Sequence, residues 1–468
     1  MTHVNVVDVR AGVVLRDRLV VLRGGRIAAV EPGSARSPSG ARAVDGRGRY
    51  LVPGLWDMHV HVAIERPVFQ QAGPDAARRY AFDLMLANGV TGAREMAGNL
   101  PQAAAWRDSI AAGMLEGPRL VVTGERMGDH PVAPGAPFPV NTADDVRRSV
   151  QLLREGHADH VKVGDLLPPD LLPAVGEAAR GARLPLVGHV PVGASASDAV
   201  DAGYRSIEHL QPIVNAGSPR ERELLAGQLH AQPPRTWWRR LWRRCCERNV
   251  PYPEPLPGEI QPQRVQALGV RMAAAGTWMT PTLRSMGTIQ RARDTLLALG
   301  PAPWRVDTTF TDSSWAARRP NERAARMWPM MFRSVGLLRA GGAHFLAGSD
   351  FPKPETMPGF GLHDELGLLV EAGLTPVEAL RAATLEPAAY LAATDSMGTV
   401  EPGRVADLLL LDANPLDAIA NTRRIRAVVV RGRLLDRAAL DELLADAARL
   451  AAVARKQNGA VEDSTAPR

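Results

Sequence analysis

Two histidines at alternate positions, His59 and His61, are the first residues whose types and spacing suggest chemistry. They lie in an apolar run, residues 54–62, that begins at a Pro53-Gly54 turn. If the run is a β-strand, alternate side chains share a face, so both imidazoles point the same way. Neutral imidazole is a good ligand for zinc and similar ions. Taken alone, the pair is better interpreted as two ordinary, partly buried histidines.

Four more residues of suitable chemistry stand near the ends of later apolar runs: Lys162, His189, His209 and Asp350. The strand-like runs are 54–62, 89–96, 120–123, 160–163, 184–190, 206–210, 277–282 and 344–348, and helical segments between them include 76–87, 144–154, 171–179 and 196–202. This alternation predicts βα units, and hence a parallel sheet or a (β/α)8 TIM barrel. A barrel collects the C-terminal ends of its strands at one face, where all six side chains would meet.

Both ends of the chain are strand-like. Short apolar runs bounded by turns occupy residues 4–30, and similar runs occupy 405–411 and 425–431. We predict that residues 1–53 and 397–436 form one small β-sandwich domain, with the barrel, 54–396, inserted between them. Residues 437–468 are expected to form a C-terminal helix, over 436–454, and a polar, disordered tail from 457.

Residues 213–276 are too long for an ordinary connection and are interpreted as a lid insertion. Within it, Trp238, Leu241, Trp242 and Cys245 follow helical spacing with arginines opposite, which predicts an amphipathic basic helix over 237–246. A lid helix packed on the barrel is favoured. Attachment to a membrane surface or an acidic partner is the alternative.

Composition excludes several classes of protein. The 56 basic residues are interspersed with 50 acidic ones, so the net charge of +6 indicates a mixed surface and no nucleic-acid partner. We find neither a run of about 18 apolar residues nor a signal sequence, which favours a cytoplasmic protein, although a chain trimmed of its signal would look identical. The two cysteines are adjacent and cannot form a disulfide framework. A homo-oligomer is expected.

Two stretches resemble the amidohydrolase superfamily. They are PGLWDMHVH at 53–61 and GTVEPGRVADL at 398–408, the second being similar to the superfamily's return into its β domain. The resemblance covers nearly the whole chain, and the most similar subgroup is the imidazolonepropionase-like and Xaa-Pro-dipeptidase-like enzymes. It implies a metal-bearing (β/α)8 barrel with a small β domain built from both chain ends.

The resemblance also implies a ligand set. His59, His61 and Asp350 would hold one divalent ion, His189 and His209 the other, and Lys162 would bridge them as a carbamate. Zinc is the default metal because imidazole-rich sites suit it. Carbamate formation requires a lysine, since an arginine stays protonated. The chain has only three lysines, Lys162, Lys353 and Lys456, so one at the expected position is informative.

The predicted reaction is hydrolysis of an amide, in an N-acyl amino acid, a dipeptide or an amide-bearing xenobiotic. A metal-bridging hydroxide would attack, with Asp350 as proton shuttle. The alternatives are hydrolysis of lactones, carbamates or organophosphate esters at the same centre, or a mononuclear deaminase or cyclic amidase, against which Lys162 argues. A non-catalytic scaffold has no need for the six ligands.

Substrate-binding candidates follow the third and seventh runs. His130 lies in a Gly/Pro-rich loop and is a candidate to polarise a carbonyl or bind a carboxylate, and Arg284 is a candidate to hold a carboxylate through two hydrogen bonds. Arg94 and Glu95, after the second run, are comparable candidates. The sequence GHVP at 188–191 differs from the His-Ala-x-Gly stretch expected in the dipeptidases, which weakens the case for a dipeptide substrate.

Overall fold

The computed structural model describes residues 1–63, 74–231, 253–286, 322–352 and 356–464. Within these ranges the chain is a mixed α/β protein. Its strands are β1 (Val4–Asp8), β2 (Val13–Arg23), β3 (Arg26–Pro32), β4 (Tyr50–Pro53), β5 (Leu55–Val60), β6 (Val90–Glu95), β7 (Arg119–Val122), β8 (Val161–Val163), β9 (Leu186–Gly188), β10 (Tyr204–Glu208), β11 (Trp278–Thr280), β12 (Leu408–Leu411), β13 (Ile425–Val430) and β14 (Arg433–Leu435).

Helices alternate with strands β5 to β11 and then follow them. They are α1 (Pro74–Ala87), α2 (Leu100–Ala111), α3 (Ala143–Glu155), α4 (Leu172–Ala182), α5 (Ala196–Asp201), α6 (Gln211–Gly217), α7 (Glu221–His230), α8 (Pro262–Ala275), α9 (Leu283–Met286), α10 (Glu322–Ala340), α11 (Phe360–Glu371), α12 (Pro376–Ala382), α13 (Leu385–Tyr390) and α14 (Arg437–Ser464). Short 3-10 segments lie at Pro169–Leu171, Pro257–Glu259 and Ile419–Arg423. Among the described residues, no helix combines the length and the apolar character needed to cross a membrane.

Both chain ends contribute to one seven-stranded sheet, in the order β14-β13-β12-β4-β1-β2-β3. Its neighbours are antiparallel except β1 and β4, which are parallel. One face packs around Val6, Ile27, Leu408 and Val429. The strands are hydrogen-bonded as a single sheet, so the predicted sandwich of two packed sheets stays a prediction.

Two parallel sheets carry the middle of the chain, β5-β6-β7 and β11-β10-β9-β8. Every residue of β5 and β6 is buried, as expected for parallel strands covered on both faces. Isolated parallel bridges link the sheets. On one side Met127 pairs with Val163, and on the other Phe345 of the eighth run pairs with Met279 and Phe351, three residues after the run, pairs with Val60. Between the sheets, Trp56, Val187 and Leu346 share one apolar cluster.

The eighth predicted run, 344–348, is not a regular strand. It contributes isolated bridges and backbone hydrogen bonds instead, including Met58 N to Ala347 O at 2.8 Å and Leu346 N to Met279 O at 2.9 Å. Gly348 permits the close approach of this segment to β5, because a Cβ atom there would lie 2.6 Å from that of His59. The segment therefore still delivers Asp350 to the end of β5.

Two other predicted segments have different outcomes. The C-terminal helix continues to Ser464, so residues 457–464 are helical and the prediction of a disordered tail is wrong for them. Of the predicted insertion 213–276, the described part forms helices, and α8 packs closely on α10, where a Cβ atom on Gly269 would lie 2.7 Å from Leu338 O. The predicted amphipathic helix over 237–246 lies outside the described residues.

Candidate metal centre

The six predicted ligands lie at the C-terminal ends of the parallel strands. His59 is in β5 and Lys162 is in β8, whereas the others directly follow a strand or the eighth run. His59, His61, Lys162 and Asp350 are buried, and His189 and His209 are half-buried. The carboxyl ends of parallel strands point to one face of the molecule, so the topology places these side chains together.

Short distances connect the six side chains. His61 Nε2 is 3.1 Å and His59 Nε2 is 3.6 Å from Asp350 Oδ1. Lys162 Nζ is 3.5 Å from His59 Nε2. His59, His209 and Asp350 each present one ligand atom, all within 4.8 Å of one another. The structure therefore brings the predicted residues into one cluster.

The hydrogen bonds of His59 leave one ring nitrogen for a cation. Its Nδ1 lies 2.7 Å from Glu208 Oε2, and an ionised carboxylate can only accept, so the N–H at Nδ1 donates a hydrogen bond to it. Nε2 then carries the lone pair and faces Lys162 and Asp350. A carboxylate that fixes the tautomer of a histidine in this way is the usual partner of a metal-binding imidazole.

His209 and His189 show the same pattern. The Thr282 hydroxyl lies 2.8 Å from Pro281 O and 2.6 Å from His209 Nδ1, so it can donate to the carbonyl while it accepts from the ring. His189 Nδ1 lies 3.0 Å from Asp165 Oδ1. In the tautomers with the protons on Nδ1, both Nε2 atoms carry lone pairs, and they are 3.2 Å apart. Two acceptors at that distance cannot bond to each other, but they suit a shared cation, so this donor set fits a metal site.

Lys162 is fully buried beside these histidines. Burial lowers its pKa to about 8, although Glu208 and Asp350 act in the opposite direction. The cause is desolvation, which disfavours the charged ammonium. A sizeable fraction of the amine is therefore neutral near physiological pH, as required for a reaction with carbon dioxide.

Two buried acids in the centre were not predicted as site residues. Asp57 Oδ1 accepts from Ser349 N at 2.9 Å and from His59 N at 3.3 Å, so it joins β5 to the segment that ends in Asp350. Glu208 orients His59 as described above. Buried carboxylates are rare unless they have partners. An acidic residue inside an apolar run is therefore a sequence signal for a buried, partnered acid, and it would have identified both residues.

Arg94 lies inside the protein rather than in a substrate pocket. Its guanidinium donates to Met58 O, Ser206 Oγ, Tyr390 Oη, Glu208 Oε1 and Thr280 Oγ1 at 2.7–3.2 Å. All five donors of the side chain are accounted for, and it is fully buried. The suggestion that Arg94 binds substrate is therefore wrong. It supports Glu208 and, through it, His59.

Arg94→Met is expected to destabilise the fold by about 3–5 kcal/mol, because it leaves Glu208 charged and buried without its partner. Urea denaturation followed by circular dichroism measures this change. The matched control is Arg339→Met, which breaks a 2.9 Å ion pair with Glu378 on the surface. Exposed pairs contribute about 0–1 kcal/mol, so equal effects of the two variants would contradict this account.

The two predicted substrate residues, His130 and Arg284, make different contacts. His130 is exposed, with its Nε2 3.5 Å from Arg126 Nη2. Arg284 donates from Nε to Asp364 at 2.9 Å, and its backbone N donates to Glu365 at 2.7 Å. These contacts favour a structural role for Arg284. Carboxylate binding by Arg284 and carbonyl contact by His130 stay predictions.

Glu95, the other candidate after β6, holds a loop in place. Its Oε2 accepts from Val62 N and, at 3.2 Å, from Ala63 N, while Oε1 accepts from Ala97 N at 3.3 Å. The carboxylate is therefore occupied by the backbone that follows His61. This arrangement favours a structural role over contact with a substrate.

A second group of possible ligands adjoins the cluster. Asp129, Asp165 and His189 each present one atom within 4.8 Å of the others. Asp129 also contacts Arg126, with Oδ2 3.3 Å from Nε, and accepts from Leu166 N at 2.9 Å. These contacts fix the loop after β7 against the segment after β8, and they place His189 between this loop and the main cluster.

Comparisons with known proteins agree with the geometry. Phenylurea hydrolase B has a TM-score of 0.66 at 21% identity, covering 94% of this chain and 97% of that one. A Xaa-Pro dipeptidase with bound methionine has a TM-score of 0.64 at 20% identity, covering 92% and 98%. At these identities the likeness shows the fold.

Among curated proteins, adenine deaminase 2 of Bradyrhizobium sp. (strain ORS 278) is 45% identical over 51 residues. The match covers 10% of this chain and only 8% of that protein. The model of the amidohydrolase family, in contrast, matches residues 50–435, from β4 to the end of β14. Because this match spans most of the chain, the protein belongs to the amidohydrolase family.

Proposed function

We propose that the protein is a binuclear metal-dependent amidohydrolase that hydrolyses an amide bond. The observation that carries the proposal is the convergence of five ligand side chains and one buried lysine, with the Nε2 atoms of His189 and His209 3.2 Å apart. The bridges between the two parallel sheets support a (β/α)8 barrel around this cluster. The sheet formed from both chain ends supports a separate small β domain, residues 1–53 and 397–436.

The ligand roles follow from the distances. His59, His61 and Asp350 lie together and would hold one cation, and His189 and His209 would hold the other. Two divalent cations, with Zn²⁺ as the first candidate, would polarise the substrate carbonyl and lower the pKa of water to provide a nucleophile.

Lys162 would complete the set as a carbamate. Its neutral amine attacks carbon dioxide, forming the N–C bond and releasing one proton, and the product is an anion with two oxygens. Burial favours the neutral amine that this reaction requires. The lysine lies against His59, so the carbamate oxygens would extend toward the remaining ligands.

Asp350 would move the proton. A carboxylate at this position can accept a proton from the attacking water and return it to the departing amine, which is general base and then general acid catalysis. The backbone of Asp350 is fixed, since its N donates to His59 O at 2.8 Å. The carboxylate lies beside His61, with Oδ1 3.1 Å from Nε2.

The substrate class rests on the chemistry of an amide. The names of the two structural relatives refer to a dipeptidase and a phenylurea hydrolase, which both break carbon–nitrogen bonds. N-acyl amino acids, dipeptides and amide-bearing xenobiotics are the first substrates to test. Lactones, carbamates and organophosphate esters form the second group, because the same centre would activate their carbonyl or phosphoryl oxygen.

The second candidate is the mononuclear deaminase, and the local likeness to adenine deaminase 2 favours deamination. Metal analysis by mass spectrometry, combined with a panel of amides, esters and adenine, separates the two. Two ions per chain and turnover of an amide support the proposal. One ion per chain and release of ammonia from adenine would replace it with the deaminase.

A further inference from the structure

Thr282 makes a contact that the reaction does not require. It follows Pro281, the first residue after β11, and its hydroxyl oxygen lies 2.6 Å from His209 Nδ1. The same hydroxyl donates its proton to Pro281 O at 2.8 Å. A hydroxyl that donates to the carbonyl in this way has an oxygen lone pair for the N–H of His209 Nδ1. This arrangement favours the His209 tautomer with the proton on Nδ1 and the lone pair on Nε2.

The backbone of Thr282 is strained. Its φ of +50° lies in the left-handed region, which β-branched residues avoid. His209 itself has a φ of +69°. Non-glycine residues keep such a conformation only where the surrounding structure holds them in place. The strain at Thr282 therefore points to a second group that holds the turn.

Glu365 of α11 is that group. Its side chain is fully buried, with Oε1 accepting from Leu283 N at 3.0 Å and Oε2 accepting from Arg284 N at 2.7 Å. Both oxygens thus hold the two peptide groups that directly follow Thr282. The neighbouring Asp364 accepts from the Arg284 side chain instead, at 2.9 Å, so it contacts the turn only through a side chain.

We propose that Thr282 and Glu365 are positioning residues for His209. Glu365 holds the turn, the turn holds Thr282 in its strained conformation, and Thr282 fixes the ring orientation and tautomer of His209. The proposal rests on the metal centre described above and adds a path of contacts from α11 to one of its ligands. Its consequence is that residues on a helix outside the cluster control how tightly the His189–His209 cation is held.

The first test compares two substitutions at one position. Thr282→Val keeps the shape of the side chain but removes the acceptor, whereas Thr282→Ser keeps the hydroxyl. The Zn²⁺ affinity of the metal-free protein is measured by competition with a chelator. In Thr282→Val we expect the affinity for one of the two ions to fall by about 10–100-fold. Thr282→Ser should bind both ions as tightly as the wild type.

The second test addresses Glu365. Glu365→Gln replaces one of the two carboxylate oxygens by an NH2 group. This group cannot accept from the backbone N–H that it faces, so one of the two hydrogen bonds that hold the turn is lost. It should weaken the same ion, and adding Thr282→Val should then have a smaller effect than in the wild type, since both changes act on one path. Asp364→Asn is the matched control and should leave the affinity for both ions unchanged.

The outcomes separate this inference from the proposed function. Thr282→Val with wild-type affinity for two ions would overturn the inference and leave the metal centre intact. A wild type that binds no Zn²⁺ would overturn the metal centre itself, and the inference with it. If Glu365→Gln fails to fold, as judged by circular dichroism, the comparison of Thr282→Val with Thr282→Ser still decides.

Discussion

Replacing Asp350 by asparagine is expected to reduce kcat by roughly 10²–10⁴-fold on whichever amide the wild type turns over, because the variant loses a general base. Asparagine keeps an oxygen at the ligand position but cannot accept and return a proton at neutral pH. The measurement is kcat together with metal content for the purified variant. We expect the purified variant to keep both ions. The loss of kcat would then be due to the missing proton transfer and not to missing metal.

Two comparisons make the Asp350 result specific. Asp201→Asn changes an exposed aspartate on α5 that pairs with Arg271, and it should leave kcat unchanged. Circular dichroism should show the same fold in both variants. An Asp350→Asn enzyme that retains both ions and more than about a tenth of the wild-type kcat would contradict a role in proton transfer, since even a modest general base contributes more.

The site cluster could be predicted because its signals are local. His59 and His61 share a face through strand alternation, and Lys162 and His209 each end or follow a short apolar run. The parallel arrangement then brings the ends of these runs together. The structure confirms that these side chains converge. Their roles as ligands stay predictions, because sequence and geometry give the donor atoms and not the ion.

Other features depend on contacts that no local pattern records. Arg94 could not be recognised as an internal residue, since its acceptors come from β5, β10, β11 and α13. Arg284 pairs with Asp364, about 80 residues away in the sequence. The positive φ values of His209, Thr282 and Asp350 are equally invisible, because turn signals in sequence come mainly from glycine and asparagine.

The eighth run shows how packing changes a local prediction. Its apolar residues are buried as expected, and Phe345 in the run and Phe351 just after it pair with neighbours on both sides. The segment is nevertheless irregular, since Gly348 lies against His59 and Asp350 adopts a φ of +54°. A regular strand would point Asp350 differently, so the departure from regular geometry is what places the carboxylate beside His61.

Lys162→Arg is expected to lose about one of two bound ions per chain while the fold is retained. Arginine keeps the positive charge, but its guanidinium stays protonated and cannot attack carbon dioxide, so no bridging carbamate forms. A buried lysine whose pKa is lowered to about 8 can supply the neutral amine, and Lys162 lies in contact with His59. Metal content measured by mass spectrometry tests the expectation.

A bicarbonate experiment separates the carbamate from a simple steric effect of the larger arginine. Wild-type protein stripped of metal should regain two ions only when bicarbonate accompanies Zn²⁺. Lys162→Arg and the uncharged Lys162→Met should gain at most one ion, with or without bicarbonate, and thermal unfolding should show that both variants are folded.

Methionine is no bulkier than lysine. If Lys162→Met also lacks the second ion, the loss is due to the missing carbamate and not to the size of the side chain. Two ions in Lys162→Arg, or loading of the wild type that ignores bicarbonate, would exclude the carbamate and leave the histidines and Asp350 as the complete ligand set.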